Sequence, residues 1–389
     1  MDWQEEKQAA IRNADCVVVK VGSAVLTSGS ELNLDVLDNL VDQLVRIQRG
    51  EDRDGRGRRV VLVSSGAVST GRAALGRQCR EAAAQTGIAA KQALASIGQG
   101  RLMHFYDQSF SRRDAVMSQV LLTRDDLSDR GRFLNARNTF GTLLGWNVIP
   151  VVNENDTVAV SELKFSDNDN LASLLLNVVG ADLFVNLTSI GGVLDANPLT
   201  CPDAKIIPCI RQVRDLDLNT LCGGKTAVGT GGMYSKLLSA TRAAQLGVPT
   251  FILPGLDADV IPRAFGGEAC GTWICPEATP ISRRKYWLAY QAEPQGLVRI
   301  DGGAAGAILN KGKSLLPGGI TGIEGDFTAG ALIRIEHDGQ TVAVGLSNYD
   351  AEELRAIMGR SRLEVAALLG DAHYPEVVHR DNMLIEPAC

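Results

Sequence analysis

The sequence predicts an α/β chain in which a mainly parallel sheet is the middle layer of a three-layer sandwich, followed by a small β-rich domain. Over the first two thirds of the 389 residues, short β-branched runs alternate with longer amphipathic stretches. Such alternation is typical of a parallel sheet covered by helices on both faces. After Trp273 the pattern changes to short strands separated by glycines, without internal repeats.

The first part of the chain is predicted to contain six strands with helices between them. Apolar, β-branched runs predict the strands at residues 16–21, 59–64, 115–122, 147–153, 181–187 and 249–253. Helical spacing of apolar residues predicts the helices at 34–48, 84–110, 131–144 and 170–179. Because ligands of such sheets bind beyond the carboxyl ends of the strands, we expect the functional residues there.

We expect residues 1–275 to form the first domain and residues 294–380 the second. Residues 276–293 begin with PEATPISRRK, which mixes prolines with charged residues, and are predicted to be a linker. Residues 381–389 are predicted to be a C-terminal tail.

Composition and charge restrict the class of protein. The content of 45% apolar and 22% charged residues is ordinary for a globular chain, and a net charge of −6 argues against a general nucleic-acid binder. The arginines of DRDGRGRR, residues 52–59, alternate with acids and glycines, which favours a solvated loop over an anion site. The N-terminus MDWQEEKQ is unlike a secretory signal and no run approaches ~20 apolar residues, so we expect a cytoplasmic protein without membrane contact.

The cysteines and histidines do not follow a metal-binding pattern. The eight cysteines include no C-x-x-C pair, and none of the four histidines stands at a useful metal-binding spacing from another type of metal ligand. We therefore expect free, partly buried thiols and no metal site of the protein's own.

Unusual residues occur at the ends of the first two predicted strands. Lys20 stands inside an apolar run, where a buried cation requires an anion near the strand tip. An edge-strand lysine that reaches solvent is the alternative. In SSGA, residues 64–67, a glycine and small hydroxyl residues let backbone N–H groups approach an oxyanion, although Ser-Gly turns are common in all proteins.

Acids and amides form two clusters farther along the chain. NEND, residues 153–156, follows the fourth strand, and DNDN, residues 167–170, begins a helix. Asp and Asn are favoured helix caps, which accounts for one such residue but not for eight. Carboxylates at strand ends bind a substrate ammonium, hold Mg²⁺ or orient lysines, and the sequence leaves these three roles open.

A glycine-rich segment, GTGGMYSK at residues 229–236, precedes a predicted helix whose first turn or so contains Lys236. A cation at this positive end of the helix dipole is disfavoured by roughly 0.3–1 kcal/mol unless an anion faces it. The P-loop and dinucleotide-binding motifs are excluded, because Asn219 and Tyr234 stand where they require glycine. Phosphoryl-transfer sites commonly contain lysines, acids and glycine-rich turns, with Mg²⁺ bound to the nucleotide. The sequence has two such lysines, several acids and several such turns.

The motifs together resemble a known family. Six segments, in this order over about residues 15–275, resemble the glutamate 5-kinases of the amino acid kinase family: VVVKVGSAVLT, VSSGAVSTG, LLTRDDLSDRGRFLNARNTF, VVNENDTVAV, FSDNDNLAS and GTGGMYSKL. In the C-terminal part, LNKGKSLLPGGI, GLSNY and VVHRDNM resemble the PUA domain that many bacterial members carry. The resemblance covers nearly the whole chain.

The resemblance implies ATP-dependent phosphorylation of the γ-carboxylate of L-glutamate to L-glutamyl 5-phosphate, the first step of proline biosynthesis, with Mg²⁺ carried by the nucleotide. It implies that Lys20 and Lys236 stabilise the phosphoryl group in transfer and that Asp169 holds both lysines. It assigns glutamate binding to Ser65, Asp156 and Asn168. It assigns ATP binding to Lys20, Thr188, Ser189, Thr230, Gly231, Gly232, Met233, Tyr234, Ser235 and Lys236.

The chain departs from the family's nucleotide loop at Ser189 and Leu194, where aspartate and tyrosine are usual. Family members are commonly homo-oligomers inhibited by proline, which we expect to compete with glutamate. Three alternatives stay open: an amino acid kinase with a different carboxylate substrate, an RNA-binding PUA protein, and a dead site whose polar strand ends are only caps. The acidic net charge and the lack of an aromatic-basic stripe disfavour RNA.

Overall fold

The computed structural model describes residues 2–29, 31–76, 78–159, 168–198, 200–216, 221, 232–290, 292–369 and 374–385. The chain divides into two compact units, Met1–Leu127 with Gly131–Pro280, and Ser128–Arg130 with Ile281–Cys389. The predicted fold class is confirmed, because the first unit contains a mainly parallel sheet with helices and the second a five-stranded sheet. None of the helices in the described ranges combines the length and apolar character that crossing a membrane requires.

The described strands of the first unit form one large sheet and a separate small hairpin. In chain order they are β1 (Cys16–Val21), β2 (Thr27–Ser28), β3 (Glu31–Leu32), β4 (Arg59–Ser64), β5 (Met117–Leu122), β6 (Ile149–Glu154), β7 (Leu183–Thr188), β8 (Cys209–Ile210), β9 (Thr250–Pro254) and β10 (Thr272–Ile274). β2 and β3 form the hairpin, and the large sheet has the order β5-β6-β4-β1-β7-β9-β10-β8. Neighbouring strands of this sheet run parallel except β9 and β10.

Helices alternate with these strands. They are α1 (Trp3–Asn13), α2 (Ser23–Leu26), α3 (Leu34–Arg49), α4 (Ala67–Gly76), α5 (Arg80–Ala83), α6 (Ile88–Ser111), α7 (Arg124–Ser128), α8 (Arg130–Gly145), α9 (Asn168–Val179), α10 (Met233–Gln245) and α11 (Val260–Phe265). The six predicted strands and four predicted helices are all present. β8 and β10 were not predicted, because strands of two or three residues are too short to show periodicity.

The central strand β1 determines where a ligand can bind. All six of its residues are buried, as expected for a β-branched run in the middle of a parallel sheet. Within the sheet, β4, β5 and β6 lie on one side of β1, and β7, which follows them in the chain, lies on the other side of β1. The strand order therefore reverses at β1, and open α/β sheets bind ligands beyond the carboxyl ends of the strands at such a point.

Helices α4 and α6 pack so closely that glycine is required on both. A Cβ atom at Gly98 of α6 would lie 1.9 Å from the carbonyl oxygen of Ala67, and one at Gly71 of α4 would lie 1.8 Å from that of Leu94. Side chains never approach a backbone oxygen so closely, so a larger residue would push the helices apart. This contact fixes the first turn of α4, which follows the carboxyl end of β4, against α6.

The second unit contains the β-rich part of the chain. Its strands are β11 (Gly296–Ile300), β12 (Ile320–Glu324), β13 (Leu332–His337), β14 (Gln340–Leu346) and β15 (Met383–Ile385), in the order β12-β11-β13-β14-β15. Its helices are α12 (Arg283–Tyr290), α13 (Gly302–Lys311), α14 (Ala351–Ile357) and α15 (Arg362–Leu369). Residues 283–290, predicted to be part of a linker, instead form α12, because Tyr286, Trp287 and Leu288 bury their apolar side chains in this unit.

Replacement of Gly98 by alanine tests the contact between α4 and α6. We expect Gly98→Ala to lower the free energy of unfolding by about 1–3 kcal/mol, since overpacking forces the backbone to shift. Gly100→Ala on the same helix is the matched control, because a Cβ atom there meets nothing within 4 Å and alanine is favoured over glycine in a helix by up to ~1 kcal/mol. Denaturant unfolding compares the two variants, and equal stabilities would contradict the close contact.

Candidate active site

Three charged side chains from three different elements meet near the carboxyl end of β1. Lys20 comes from β1, Asp169 is the second residue of α9, and Lys236 is the fourth residue of α10. The Nζ atom of Lys20 lies 2.6 Å from Oδ1 of Asp169, and the Nζ atom of Lys236 lies 3.0 Å from Oδ2. One carboxylate therefore binds two ammonium groups, one on each oxygen.

Two further donors and deep burial complete this cluster. Asp169 is fully buried, and both lysines are at most 6% exposed. Asn186 donates from Nδ2 to Oδ1 of Asp169 at 2.8 Å, and Ser235 donates from Oγ to Oδ2 at 2.9 Å. Burial alone would raise the pKa of Asp169, but the two ammonium groups and the hydrogen bond from Asn186 lower it below its ordinary range. Asp169 is therefore ionised at neutral pH, and these three charged groups together have one surplus positive charge.

A second cluster, of amide and hydroxyl groups, lies at the ends of β4 and β6. Asn168 donates from Nδ2 to Oγ of Ser65 at 2.8 Å and to Oδ1 of Asn153 at 3.0 Å. Asn153 in turn donates from Nδ2 to Oε1 of Gln99 on α6 at 2.9 Å. Gly66 has a φ of +112°, a conformation that favours glycine, and it turns the chain from β4 into α4. The turn brings Ser65 within reach of Asn168.

Asp156 lies in the loop that follows β6. Two hydrogen bonds hold this loop, from the backbone N–H of Asn155 to the carbonyl oxygen of Leu122 at 2.9 Å and from Nε2 of Gln92 to that of Ala159 at 3.3 Å. Burial raises the pKa of Asp156 to about 6, because the loss of surrounding water disfavours the carboxylate. A partly dehydrated carboxylate of this kind is well suited to bind a cation.

A cavity of about 370 Å³ brings seven of the fourteen predicted site residues together. It lies beyond the carboxyl ends of β1, β4, β6 and β7, where the reversal of strand order places a ligand. The predicted residues in its wall are Lys20, Ser65, Asp156, Asn168, Thr188, Ser189 and Lys236. Asp169 is behind the two lysines, so it contacts them and is not part of the described wall.

The glycine-rich segment before α10 falls partly outside the described residues. Thr230 and Gly231 lie there, so their predicted role stays a prediction. Gly232 is the N-cap of α10 and is exposed. Met233 packs against a small apolar cluster, and Tyr234 is exposed. Within the described part, Gly232 and Tyr234 are therefore the members of this segment open to solvent.

Among the residues of the site that were not predicted from the sequence are Asn186, Lys91 and Gln99. Asn186 could have been predicted from the sequence, because a buried amide inside the apolar run ADLFVNL is as unusual as Lys20 in β1. Lys91 and Gln99 lie on α6, where lysine and glutamine are common on the solvent side of a helix. Only the packing of α6 against the cavity distinguishes them.

The chain matches two protein-family models. The amino acid kinase family model matches residues 15–254, and the PUA domain model matches residues 296–369.

Curated relatives are similar to the chain over nearly its whole length. The glutamate 5-kinase of Nitratidesulfovibrio vulgaris (strain DP4) is 62% identical over 387 residues, which are 99% of each chain. The glutamate 5-kinase of Oleidesulfovibrio alaskensis is 58% identical over 387 residues, again 99% of each chain. That of Maridesulfovibrio salexigens is 54% identical over 380 residues, which are 97% of this chain and 98% of the relative.

Replacement of Asp169 by asparagine removes the charge and keeps the size of the side chain. We expect Asp169→Asn to lower the free energy of unfolding at pH 7 by about 3–5 kcal/mol, because two buried ammonium groups lose this carboxylate. The pKa of Asp169 is lower in the folded than in the unfolded state, so its stabilising effect is present above about pH 4 and is lost as the pH falls further. The difference between wild type and variant should therefore shrink between pH 7 and pH 3.

Denaturant unfolding over this pH range measures the difference. Asp182→Asn is the matched control, because the Asp182 carboxylate accepts hydrogen bonds from the backbone N–H groups of Asp15 and Cys16, and we expect a loss of about 1 kcal/mol. A difference for Asp169→Asn that is constant with pH would show that its charge does not stabilise the fold.

Proposed function

This chain belongs to the amino acid kinase family, and we propose that it acts as a glutamate 5-kinase with a C-terminal PUA domain. It transfers the terminal phosphoryl group of ATP to the γ-carboxylate of L-glutamate and forms L-glutamyl 5-phosphate, the first step of proline biosynthesis. The observation that carries this proposal is the 62% identity to a glutamate 5-kinase over 99% of both chains.

The acceptor of this reaction needs no general base. The side-chain carboxyl group of glutamate has an ordinary pKa of about 4.3, so it is an anionic nucleophile at neutral pH. One of its oxygens forms a bond to the terminal phosphorus of ATP while the bond from that phosphorus to ADP breaks. Catalysis consists of bringing two anions into line and stabilising the charge on the group in transfer.

Lys20 and Lys236 are proposed to stabilise that charge. Their ammonium groups lie 2.6 Å and 3.0 Å from opposite oxygens of Asp169, so both are positioned before a substrate binds. Charges that are fixed in advance need no reorganisation during the reaction. Asp169 is a positioning residue in this mechanism, and the surplus positive charge of the cluster faces the phosphoryl oxygens.

Mg²⁺ is proposed to enter the site on the nucleotide, where it neutralises part of the phosphate charge. Each oxygen of Asp169 already accepts one ammonium group and one further hydrogen bond. This carboxylate is therefore occupied by the protein's own donors, and the phosphates are the better ligands for the ion.

Glutamate is proposed to bind to Ser65, Asp156 and Asn168. Asp156 is the anionic group of this set and pairs with the α-ammonium group of the substrate. Ser65 and Asn168 are held together by their 2.8 Å hydrogen bond, so their polar groups face the cavity in a fixed arrangement. These contacts orient the side-chain carboxylate of glutamate towards Lys20.

ATP is proposed to bind along Thr188, Ser189 and the start of α10, from Gly232 to Lys236. Thr188 and Ser189 line the cavity at the end of β7. Backbone N–H groups at a helix N-terminus favour phosphate, and Gly232 keeps side-chain bulk away from them. Thr230 and Gly231 belong to the same proposed segment.

Proline is proposed to compete with glutamate, and the chain is proposed to form a homo-oligomer, as is common in the family. Proline has the α-carboxylate and the amino group of glutamate but no side-chain carboxylate. It can therefore use the amino-acid contacts of the site without becoming phosphorylated.

An assay that follows ADP release with ATP and Mg²⁺ tests the proposed function. Glutamate, aspartate and N-acetylglutamate are compared as acceptors, each with and without proline. We expect turnover with glutamate and a competitive decrease on addition of proline. Phosphorylation of aspartate or N-acetylglutamate with none of glutamate would overturn the assignment.

The pH dependence of glutamate use tests the role of Asp156. We expect kcat/KM for glutamate to fall about tenfold from pH 7 to pH 5, because Asp156 takes up a proton near pH 6 and then no longer pairs with the α-ammonium group. The substrate's own carboxylates stay ionised over this range. Asp156→Asn should have a low kcat/KM at both pH values.

Asp107→Asn is the matched control for this profile, because Asp107 is an exposed carboxylate on α6. Its profile should follow that of the wild type. A wild-type kcat/KM that is constant from pH 7 to pH 5 would contradict the proposed role of Asp156.

A further inference from the structure

Lys91 is a cation in the wall of the cavity that the mechanism above does not use. It is the fourth residue of α6 and is partly buried. It shares the wall with Ser65, Asp156 and Asn168. Among the described residues, no carboxylate lies within ion-pairing distance of its ammonium group.

The position of Lys91 is unfavourable unless an anion binds to it. The N-terminal turn of a helix has a partial positive charge, which disfavours a cation there. Lys236 occupies the same fourth position on α10, and the carboxylate of Asp169 compensates it. Lys91 has no such carboxylate in the described structure, although the N-terminal turn of α6 has the same partial positive charge as that of α10.

Helix α6 is firmly attached to the amino-acid side of the site, so Lys91 has a defined place. Gln92, the next residue, donates to the carbonyl oxygen of Ala159 at 3.3 Å, in the loop of Asp156. Farther along the helix, Gln99 accepts the hydrogen bond of Asn153 at 2.9 Å. The close contact at Gly98 holds α6 against α4 between these points.

The described cavity wall contains three lysines, Lys20, Lys91 and Lys236, and two acids, Glu154 and Asp156. Glu154 already has an interaction partner within the protein. Glutamate has two carboxylates and one ammonium group at neutral pH. Asp156 matches the ammonium group, while Lys20 and Lys236 face the phosphoryl group and the side-chain carboxylate. The α-carboxylate is then the remaining anionic group of glutamate, and Lys91 is the third lysine in the described wall.

We propose that Lys91 binds the α-carboxylate of the substrate and thereby restricts the enzyme to acceptors with a free α-carboxylate. This inference rests on the proposed function. It separates two tasks among the lysines of the cavity, since Lys20 and Lys236 act on the transferred group and Lys91 selects the acceptor.

Isoglutamine is the probe for this role, because it replaces the α-carboxylate of glutamate by a neutral carboxamide of the same shape and keeps the γ-carboxylate. We expect the wild-type protein to prefer glutamate to isoglutamine in kcat/KM. In Lys91→Met, kcat/KM for glutamate should fall about 10- to 100-fold through KM, the range for a lost charge-assisted hydrogen bond. The kcat/KM for isoglutamine should stay near the wild-type value, so the preference disappears.

Three further variants separate recognition from structure. Lys91→Arg keeps the charge and should retain most of the preference for glutamate. Lys91→Gln keeps a long polar side chain and should lose the preference, which gives a second neutral variant if Lys91→Met does not fold. Arg101→Met removes an exposed cation from the same helix and should leave both substrates unchanged.

Each outcome of this comparison is decisive. Loss of the preference in both neutral variants, with retention in Lys91→Arg, supports the assignment. The assignment is overturned if the neutral variants keep the wild-type preference, or if their kcat/KM falls by the same factor for both substrates. Neither result contradicts the proposed kinase activity. A wild-type protein that phosphorylates neither substrate overturns the proposed function itself.

Discussion

The carboxylate of Asp169, bound between Lys20 and Lys236, is the interaction on which the site depends. It joins β1, α9 and α10 at a buried point beside the cavity. Taking three charges out of water costs several kcal/mol per ion, and their attraction offsets this only with good geometry and additional hydrogen bonds. Asn186 and Ser235 supply those bonds. Apolar side chains would join the three elements without this cost, so the charges support the proposal that the cluster binds the phosphoryl anion.

The strand order of the sheet determines which residues surround this cluster. Because the strand order reverses at β1, the ends of β4, β6 and β7 open around the same cavity. The lysine cluster is at the end of β1, and the residues proposed to hold the amino acid come from β4, the loop after β6 and helix α6. The glycine contact between α4 and α6 and the hydrogen bonds of Gln92 and Gln99 fix these elements relative to one another. Within this unit, these contacts hold positive charge at the proposed phosphoryl site and charge of both signs at the proposed amino-acid site.

Much of the site could be predicted because its residues break local rules. A lysine inside a buried strand and a lysine at the start of a helix are both unfavourable without a partner, and each is visible in the sequence. Residues that act through distant partners could not be predicted. The segment at residues 52–59, predicted to be a solvated loop, contains Arg58, which is 2% exposed and donates to the carbonyl oxygens of Ile11 and Ala14. Its neighbours in sequence give no sign of these contacts, and the same holds for Lys91 on α6.

A double-mutant cycle on Lys20 and Lys236 tests most directly whether the two lysines act as one unit through Asp169. When one lysine is replaced by methionine, the Asp169 carboxylate neutralises the other and the surplus positive charge disappears. Each single variant should therefore lose about 10²- to 10³-fold in kcat/KM for glutamate phosphorylation, and the double variant should lose little more. A double variant whose loss equals the product of the two single losses would show that the lysines act independently and would contradict the shared role of Asp169.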